Sequence, residues 1–254
     1  MASLLTLHYP PPWRAALEAV LALLPALSLA LAATVGSEIL RLWFGVPWWL
    51  GGLLTLGPAV LLAAMGIGVV TATNAIILPF LLAVTVLIAL QGGTGTPTAA
   101  GTPEWIGSAV VYASYNLFLS LGVTLGAGRS LVNPGDSWKA AGLSMLVTFA
   151  TAAVLYRALL GTSETAIPLW PAATALGDPW PHLYAGALFA ALFGSATAQA
   201  YLIVSRHGPW AGLATLLLVL TAPLGLPALV RHGYPLFGIL AVPFWLPLLS
   251  ARGR

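Results

Sequence analysis

Three short stretches gather the hydrogen-bonding side chains of an otherwise apolar chain, and their residue types suit coordination rather than covalent chemistry. In "VVYASYNLFLSLG", residues 110 to 122, Tyr112, Ser114, Tyr115 and Asn116 stand within one and a half turns of a helix. Together they can hold a polar solute or the open backbone of a broken helix. They can equally bond a neighbouring membrane helix, at about 0.6 to 2 kcal/mol per contact. In "ATVGSEILRLWFG", residues 33 to 45, Thr34, Gly36 and Ser37 precede Glu38 and Arg41. This is either a helix end closed by an i,i+3 ion pair, or a discontinuity whose freed backbone groups and carboxylate meet a solute or cation. In "FGSATAQAY", residues 193 to 201, Ser195, Thr197 and Gln199 alternate with small residues. Close helix packing explains the pattern, and so does an oxygen-lined Na⁺ site completed by the two hydroxyls.

Covalent chemistry has little to work with. The chain has no Cys, which excludes disulfides, thiolate ligands and thiol nucleophiles. No Asp falls inside an apolar run, so the paired aspartates of an intramembrane protease or proton relay are missing. His8, His182, His207 and His232 all stand at the ends of apolar runs, which argues against haem ligation between facing helices. Ser137 of "GDSW" has no His nearby, and no P-loop, G-x-S-x-G or H-E-x-x-H occurs. The expectation is a protein that is not an enzyme and holds no cofactor or metal, with Na⁺ or H⁺ as the candidate coupling ions.

The elements that position these residues must be membrane helices. Of 254 residues, 59% are hydrophobic and 6% charged, and the mean hydropathy is +0.97, so no charged surface can face water. The net charge of +3 does not indicate nucleic acid, because the basic residues are scattered at the ends of apolar runs and form no patch. Crossing the hydrocarbon takes about 20 residues. Eight runs qualify: 13 to 36, 49 to 70, 73 to 91, 106 to 128, 139 to 160, 183 to 204, 209 to 225 and 234 to 250. Gly66, Gly68 and Thr71 to Asn74, followed by Pro79, mark the turn between the second and third. Pro223, Pro227, Pro235, Pro243 and Pro247 predict kinks or a re-entrant path in the last two.

Charge bias sets the orientation. With both termini in the cytoplasm, Arg14, Arg129, Lys139, Arg206, Arg252 and Arg254 lie inside, against Arg41, Arg157 and Arg231 outside. The stretch 92 to 105 carries no Lys or Arg and reads as an external linker, and 161 to 182 as a second external segment. Trp43, Trp48, Trp49, Trp105, Trp170, Trp180 and Trp210 cluster at run ends, where an indole prefers the interface. Ala30, Leu31 and Ala32 resemble a signal-peptide cleavage site, but Arg14 is late, Glu18 follows it and the run is long enough to span, so it reads as a retained helix. Eight Arg against one Lys, beside abundant Ala and Leu, hints at a bacterial source.

Four stretches carry a family resemblance. "VGSEILRLWFG" at 35 to 45 looks like a G-F-A-S/T-G-Q-E-I-x-x-F-F helix ending, "TNAIILPFLL" at 73 to 82 like V-N-x-I-x-x-P-L-L, "VVYASYNLFLSLGV" at 110 to 123 like Y-x-S-F-N-x-x-L, and "LVRHGYPLFGILAV" at 229 to 242 like L-V-x-x-x-Y-P-L-F-G-Y-x-G. In this order they resemble the YkvI-type bacterial membrane proteins, distant members of the amino acid/polyamine/organocation transporter superfamily with the LeuT-type fold. The resemblance implies an inverted repeat whose first and sixth helices are broken at the midplane around a solute. It sets Thr34, Gly36, Ser37 and Glu38 against Tyr112, Ser114, Tyr115 and Asn116 as solute-binding candidates. Ser195 and Thr197 then fall on the eighth-helix equivalent as ion-binding candidates. The chain departs from the family in having about eight spans where the core has roughly ten, and in placing Ala33, Thr34 and Val35 at glycine-rich positions of the break.

The expected architecture is therefore an all-α integral membrane protein, a polytopic bundle of about eight spans with a shortened LeuT-type inverted-repeat core. It forms a single transmembrane domain over 1–254: a first half at about 13–91, the external linker at 92–105 and a second half at 106–250. The expected setting is the bacterial cytoplasmic membrane. The expected function is secondary transport of a small polar or amino-acid-like solute, without covalent change. The alternative is a non-transporting structural, assembly or sensory subunit that keeps the fold. Loss of two helices favours the second, and a carboxylate kept near a helix break favours the first. The partners expected are lipid, a small polar solute and a second copy of the chain, for which Gly51, Gly52 and Gly57 offer a contact face. Asn116, about ten residues into its run, is expected to be the deepest polar group, ahead of Glu38.

Overall fold

The computed structural model describes residues 11–91, 133–159 and 169–224, with single positions between 106 and 128 and between 235 and 239. Among the described residues there is no strand. The helices are α1 (Pro11–Phe44), α2 (Trp48–Ala64), α3 (Ile67–Gln91), α4 (Pro134–Leu159), α5 (Trp170–Ala175), α6 (Trp180–His207) and α7 (Pro209–Ala214), followed by a 3₁₀ segment at Thr215–Leu224. The described positions of 106–128 and 235–239 are helical too.

Four of these helices are long and apolar enough to cross a membrane: Leu21–Phe44 of α1, α3, Gly135–Leu159 of α4, and α6. They leave large apolar side chains on the outside, among them Leu42, Phe44, Ile76, Leu90, Met145 and Phe149, and Leu61 of α2 joins them. Water would not tolerate so much apolar surface. The chain is a helical membrane protein, and lipid is what these faces meet.

The ends of the helices follow from local chemistry. Gly45, at φ +64°, closes α1 by donating its N–H to Arg41 O at 3.0 Å, and Pro47 then holds the extended backbone from which α2 starts. The pair forms a hairpin joined at Gly45 to Pro47. Gly66, at φ +101°, interrupts the helix, and α3 begins at the following residue. The turn is thus tighter and earlier than the sequence predicts, because Thr71 to Asn74 continue the helix and Pro79 is accommodated inside α3. The stretch 161 to 182, expected as a second external segment, contains the short helix α5 and the start of α6. In the seventh run, α7 tightens into the 3₁₀ segment, which holds Pro223. There Ala214, Leu217, Leu220 and Pro223, three apart, are all exposed, as a three-residue turn requires.

The chain divides into two compact units, each made of segments from both halves of the sequence. The first takes residues 1–70, 101–126 and 195–254, and the second takes 71–100 and 127–194. The second has a core of Val84, Ile88, Ala89, Ala158, Leu169, Ala173, Tyr184 and Ala187. Within it, α4 is exposed at every position from Ser137 to Ala150. The first is built on the α1–α2 hairpin and the 3₁₀ segment, which pack on one another. Leu24, Leu29 and Leu56 are completely buried there.

Candidate functional site: a polar seam in the first hairpin

On α2, small residues recur every four positions at Gly51, Thr55, Ala59 and Ala63, and all are buried. This spacing puts them on one face, and small side chains let membrane helices approach backbone to backbone. The partner face on α1 holds Gly36 and Ser37. A Cβ on Gly51 would lie 2.8 Å from Ser37 Cα, and one on Gly52 would lie 2.8 Å from Val219 and 3.1 Å from Ser37 Oγ. A Cβ on Gly36 would run into the Thr55 side chain. Gly51 and Gly52 are therefore spent on contacts within the chain. The expected dimer face is corrected by this packing, and of its glycines only Gly57 has open space beside it.

The hydroxyls of the seam turn toward main-chain carbonyls. Thr34 donates to Ala30 O at 2.9 Å, and Thr55 to Gly51 O at 2.8 Å. Ser37 Oγ lies 2.6 Å from Ala33 O and 2.8 Å from Trp48 O, so its single proton is shared between its own helix and the first turn of the next. Thr34 and Ser37 are each 3% exposed and Thr55 is fully buried, so these bonds satisfy the hydroxyls where water cannot reach.

This arrangement corrects the expectation of a break at Thr34 to Glu38. α1 runs unbroken from Pro11 to Phe44. With only Gly36 where the resembling family has several glycines, and with Thr55 packed on it, nothing forces the backbone open. The alternative reading of this stretch, an i,i+3 ion pair near a helix end, describes what is found. Arg41 Nη2 and Nε donate to the two Glu38 oxygens at 2.7 and 3.1 Å, in a forked pair. Both side chains are about half exposed, Arg41 at 54% and Glu38 at 49%. Glu38 stands on the exposed side of α1 beside buried Ser37, so its carboxylate does not face the seam.

Of the stretch at 110 to 122, Tyr112 and Tyr115 lie outside the described residues. Ser114 is 5% exposed and belongs to the buried set. Asn116 is exposed on the protein, because two positions turn a helix by about 200° and carry it away from the face that buries Ser114. The same geometry separates Ser195 from Thr197: Thr197 is fully buried while Ser195 is exposed, so the two hydroxyls do not converge on one ion. Gln199, 4% exposed, is buried as well, two positions on from Thr197 and so turned to a different side of α6. It is the largest polar side chain in that set, and neither it nor Thr55 stands among the solute and ion candidates that the sequence suggests. The four-residue recurrence of small residues around Thr55 carries the missing signal.

The buried Ser, Thr and Gln side chains among the described residues all belong to the first unit: Thr34, Ser37, Thr55, Ser114, Thr197, Gln199 and Thr215, while the second unit buries the phenol of Tyr184. In the second unit the polar contact is of another kind. Asn74 Nδ2 of α3 approaches Gly194 O of α6 at 3.5 Å, across a position where a Cβ would meet Asn74 Oδ1 at 2.5 Å. No group of His, Asp or Glu that could hold a metal occurs among the described residues. The chain matches no protein-family model, no curated protein and no solved structure.

Proposed function

We propose that the chain is a transporter-like membrane protein whose first unit handles a small polar solute, with Gln199 at the centre of the site. One observation carries this reading: the buried Ser, Thr and Gln side chains among the described residues all lie in that unit, while the core of the other is apolar apart from the Tyr184 phenol. Polar groups at membrane depth are costly and tend to mark solute or ion paths. Gln199, with an amide that both donates and accepts, suits an amino-acid-like or similarly polar solute, which binds without covalent change. In this reading the protein is a shortened relative of the LeuT-type bundle in a bacterial cytoplasmic membrane. It crosses the membrane eight times with both termini inside, and Na⁺ or H⁺ is the coupling ion.

A second reading is favoured by a different observation. Thr34, Ser37, Thr55 and Thr215 all bond main-chain carbonyls three or four residues back along their own helices, which is how a packed structural helix satisfies its hydroxyls. A non-transporting assembly or sensory subunit, alone or as a homodimer, would need nothing more.

Thermal stability of the purified chain, measured against a panel of amino acids, amines and Na⁺, separates the two. A bound solute at 100 times its Kd adds about 2.7 kcal/mol. Gln199→Leu should fold and lose that response under the first reading. No response from wild type across the panel favours the second. A reporter fused to the C-terminus that is active only outside the cytoplasm would refute the topology.

A further inference from the structure

We propose that the 3₁₀ segment Thr215–Leu224 is one of two windings open to the same stretch and acts as a lid on the polar seam. Wound as 3₁₀, it covers Gly52 with Val219; rewound as α-helix, it turns Val219 aside and opens the seam beside Ser37. Runs of 3₁₀ helix longer than three or four residues are uncommon, because their hydrogen bonds are poorly aligned and their side chains eclipse. This one has ten residues and continues directly from the α-helical α7. It needs support from outside its own backbone.

Two features of the first unit supply that support. Pro223 stands inside the segment, and α winding up to this point would drive its ring into the carbonyl of Val219, four residues back. The other feature is a notch on α2. Val219 is 4% exposed, and its two methyls lie 2.8 and 3.1 Å from where a Cβ on Gly52 would sit. Only glycine leaves room for them. Ser37 Oγ borders the same point at 3.1 Å, so Val219 closes the space next to the hydroxyl that bonds Trp48 O. The segment packs on both α1 and α2, as a cover must.

The rotation per residue decides what moves. A 3₁₀ helix turns by about 120° per residue and an α-helix by about 100°. The start of the segment is fixed, because Gly212 and Thr215 are buried and Gly212 is wedged against Val60 and Val204. Counted from Thr215, rewinding turns Val219 by about 80°, Leu220 by about 100° and Thr221 by about 120°. Val219 then leaves Gly52. Leu220, exposed in the 3₁₀ form on the line of Ala214 and Leu217, moves toward the packed side, and the half-buried Thr221 takes its place facing outward. Water or a solute gains room above Gly52, next to Ser37.

The test uses the full chain in lipid bilayers, where the absence of native Cys lets one introduced cysteine be read without background. Spin labels are placed singly at positions 214, 217, 220 and 221, and collision with oxygen dissolved in the lipid reports the exposure of each. In wild type 214, 217 and 220 should be accessible and 221 shielded. Pro223→Ala and Gly52→Ala each remove one of the two supports, and each should reverse the order of 220 and 221. A Ser37→Cys chain treated with a water-soluble thiosulfonate should react at least about tenfold faster when Pro223→Ala is added, as when a minor open state becomes the major one. Accessibility of 221 above 220 in wild type overturns the proposal, and so does the wild-type order in any of these variants that folds. Unchanged labelling of Ser37→Cys in a chain that shows the reversal overturns it too, because the segment would then rewind without uncovering the seam.

Discussion

Replacing Gly51 by Ala adds one methyl at the tightest point of the α1–α2 hairpin. The new Cβ would lie 2.8 Å from Ser37 Cα and 3.2 Å from Ser37 O, both main-chain atoms that no rotamer change can move. Carbon atoms sit comfortably at about 3.5 to 4.0 Å, so the helices must separate by roughly 0.7 Å or more. Such overpacking costs about 1 to 3 kcal/mol. The separation also stretches the 2.8 Å bond from Ser37 Oγ to Trp48 O, adding up to about 1 kcal/mol. Against this stands a helix-propensity gain of about 1 kcal/mol for Ala over Gly. The net expectation is a loss of up to about 3 kcal/mol. Gly57→Ala supplies the control, because the same helix has nothing within 4 Å of that position, and the propensity gain should appear alone. Reversible unfolding of both variants in mixed micelles gives the comparison. If Gly51→Ala proved as stable as Gly57→Ala, the close approach of α1 and α2 would be wrong.

Other substitutions grade the same reasoning. Ser37→Ala should cost about 1 kcal/mol, seen as a lower unfolding midpoint, because it removes the hydroxyl that ties α1 to the first turn of α2. Gly194→Ala should cost less than Gly51→Ala in the same assay, since the atom it meets is the end of the Asn74 side chain, which can swing away. Leu56→Ala, at a fully buried position, should lower stability by about 2 to 5 kcal/mol and mark the core of the first unit. Glu38→Gln should leave the midpoint unchanged, because the exposed pair with Arg41 contributes little; a clear loss would mean that the carboxylate is engaged elsewhere.

The membrane class and most helix positions are legible in the sequence because length and apolarity alone decide them. α4 starts a few residues before its expected run and α6 extends a few beyond both ends, since helix ends are set by local hydrogen bonding rather than by hydropathy. The ion pair of Glu38 and Arg41 is legible from its spacing. Which side of a helix faces protein is not. In soluble helices a polar face reports the outside, whereas here both lipid and core are apolar and the pattern is silent. For that reason Asn116 and Ser195 read as inward from the sequence and are exposed, and Gly51 and Gly52 read as a face for a second copy although they pack within the hairpin. The continuity of α1 is likewise hidden. A lone Gly36 beside Ser37 looks like a break until Thr55 is seen to fill the space next to it.

The 3₁₀ segment changes how far the chain travels per residue. An α-helix advances about 1.5 Å per residue, but a 3₁₀ helix advances about 2.0 Å. The six residues of α7 and the ten of Thr215–Leu224 thus extend roughly 29 Å, against about 24 Å if all were α-helical. The hydrocarbon layer is about 30 Å thick. A run too short to cross as an α-helix gains, by being wound more tightly, nearly the whole thickness of the bilayer, so apolar length in such a segment undercounts its reach.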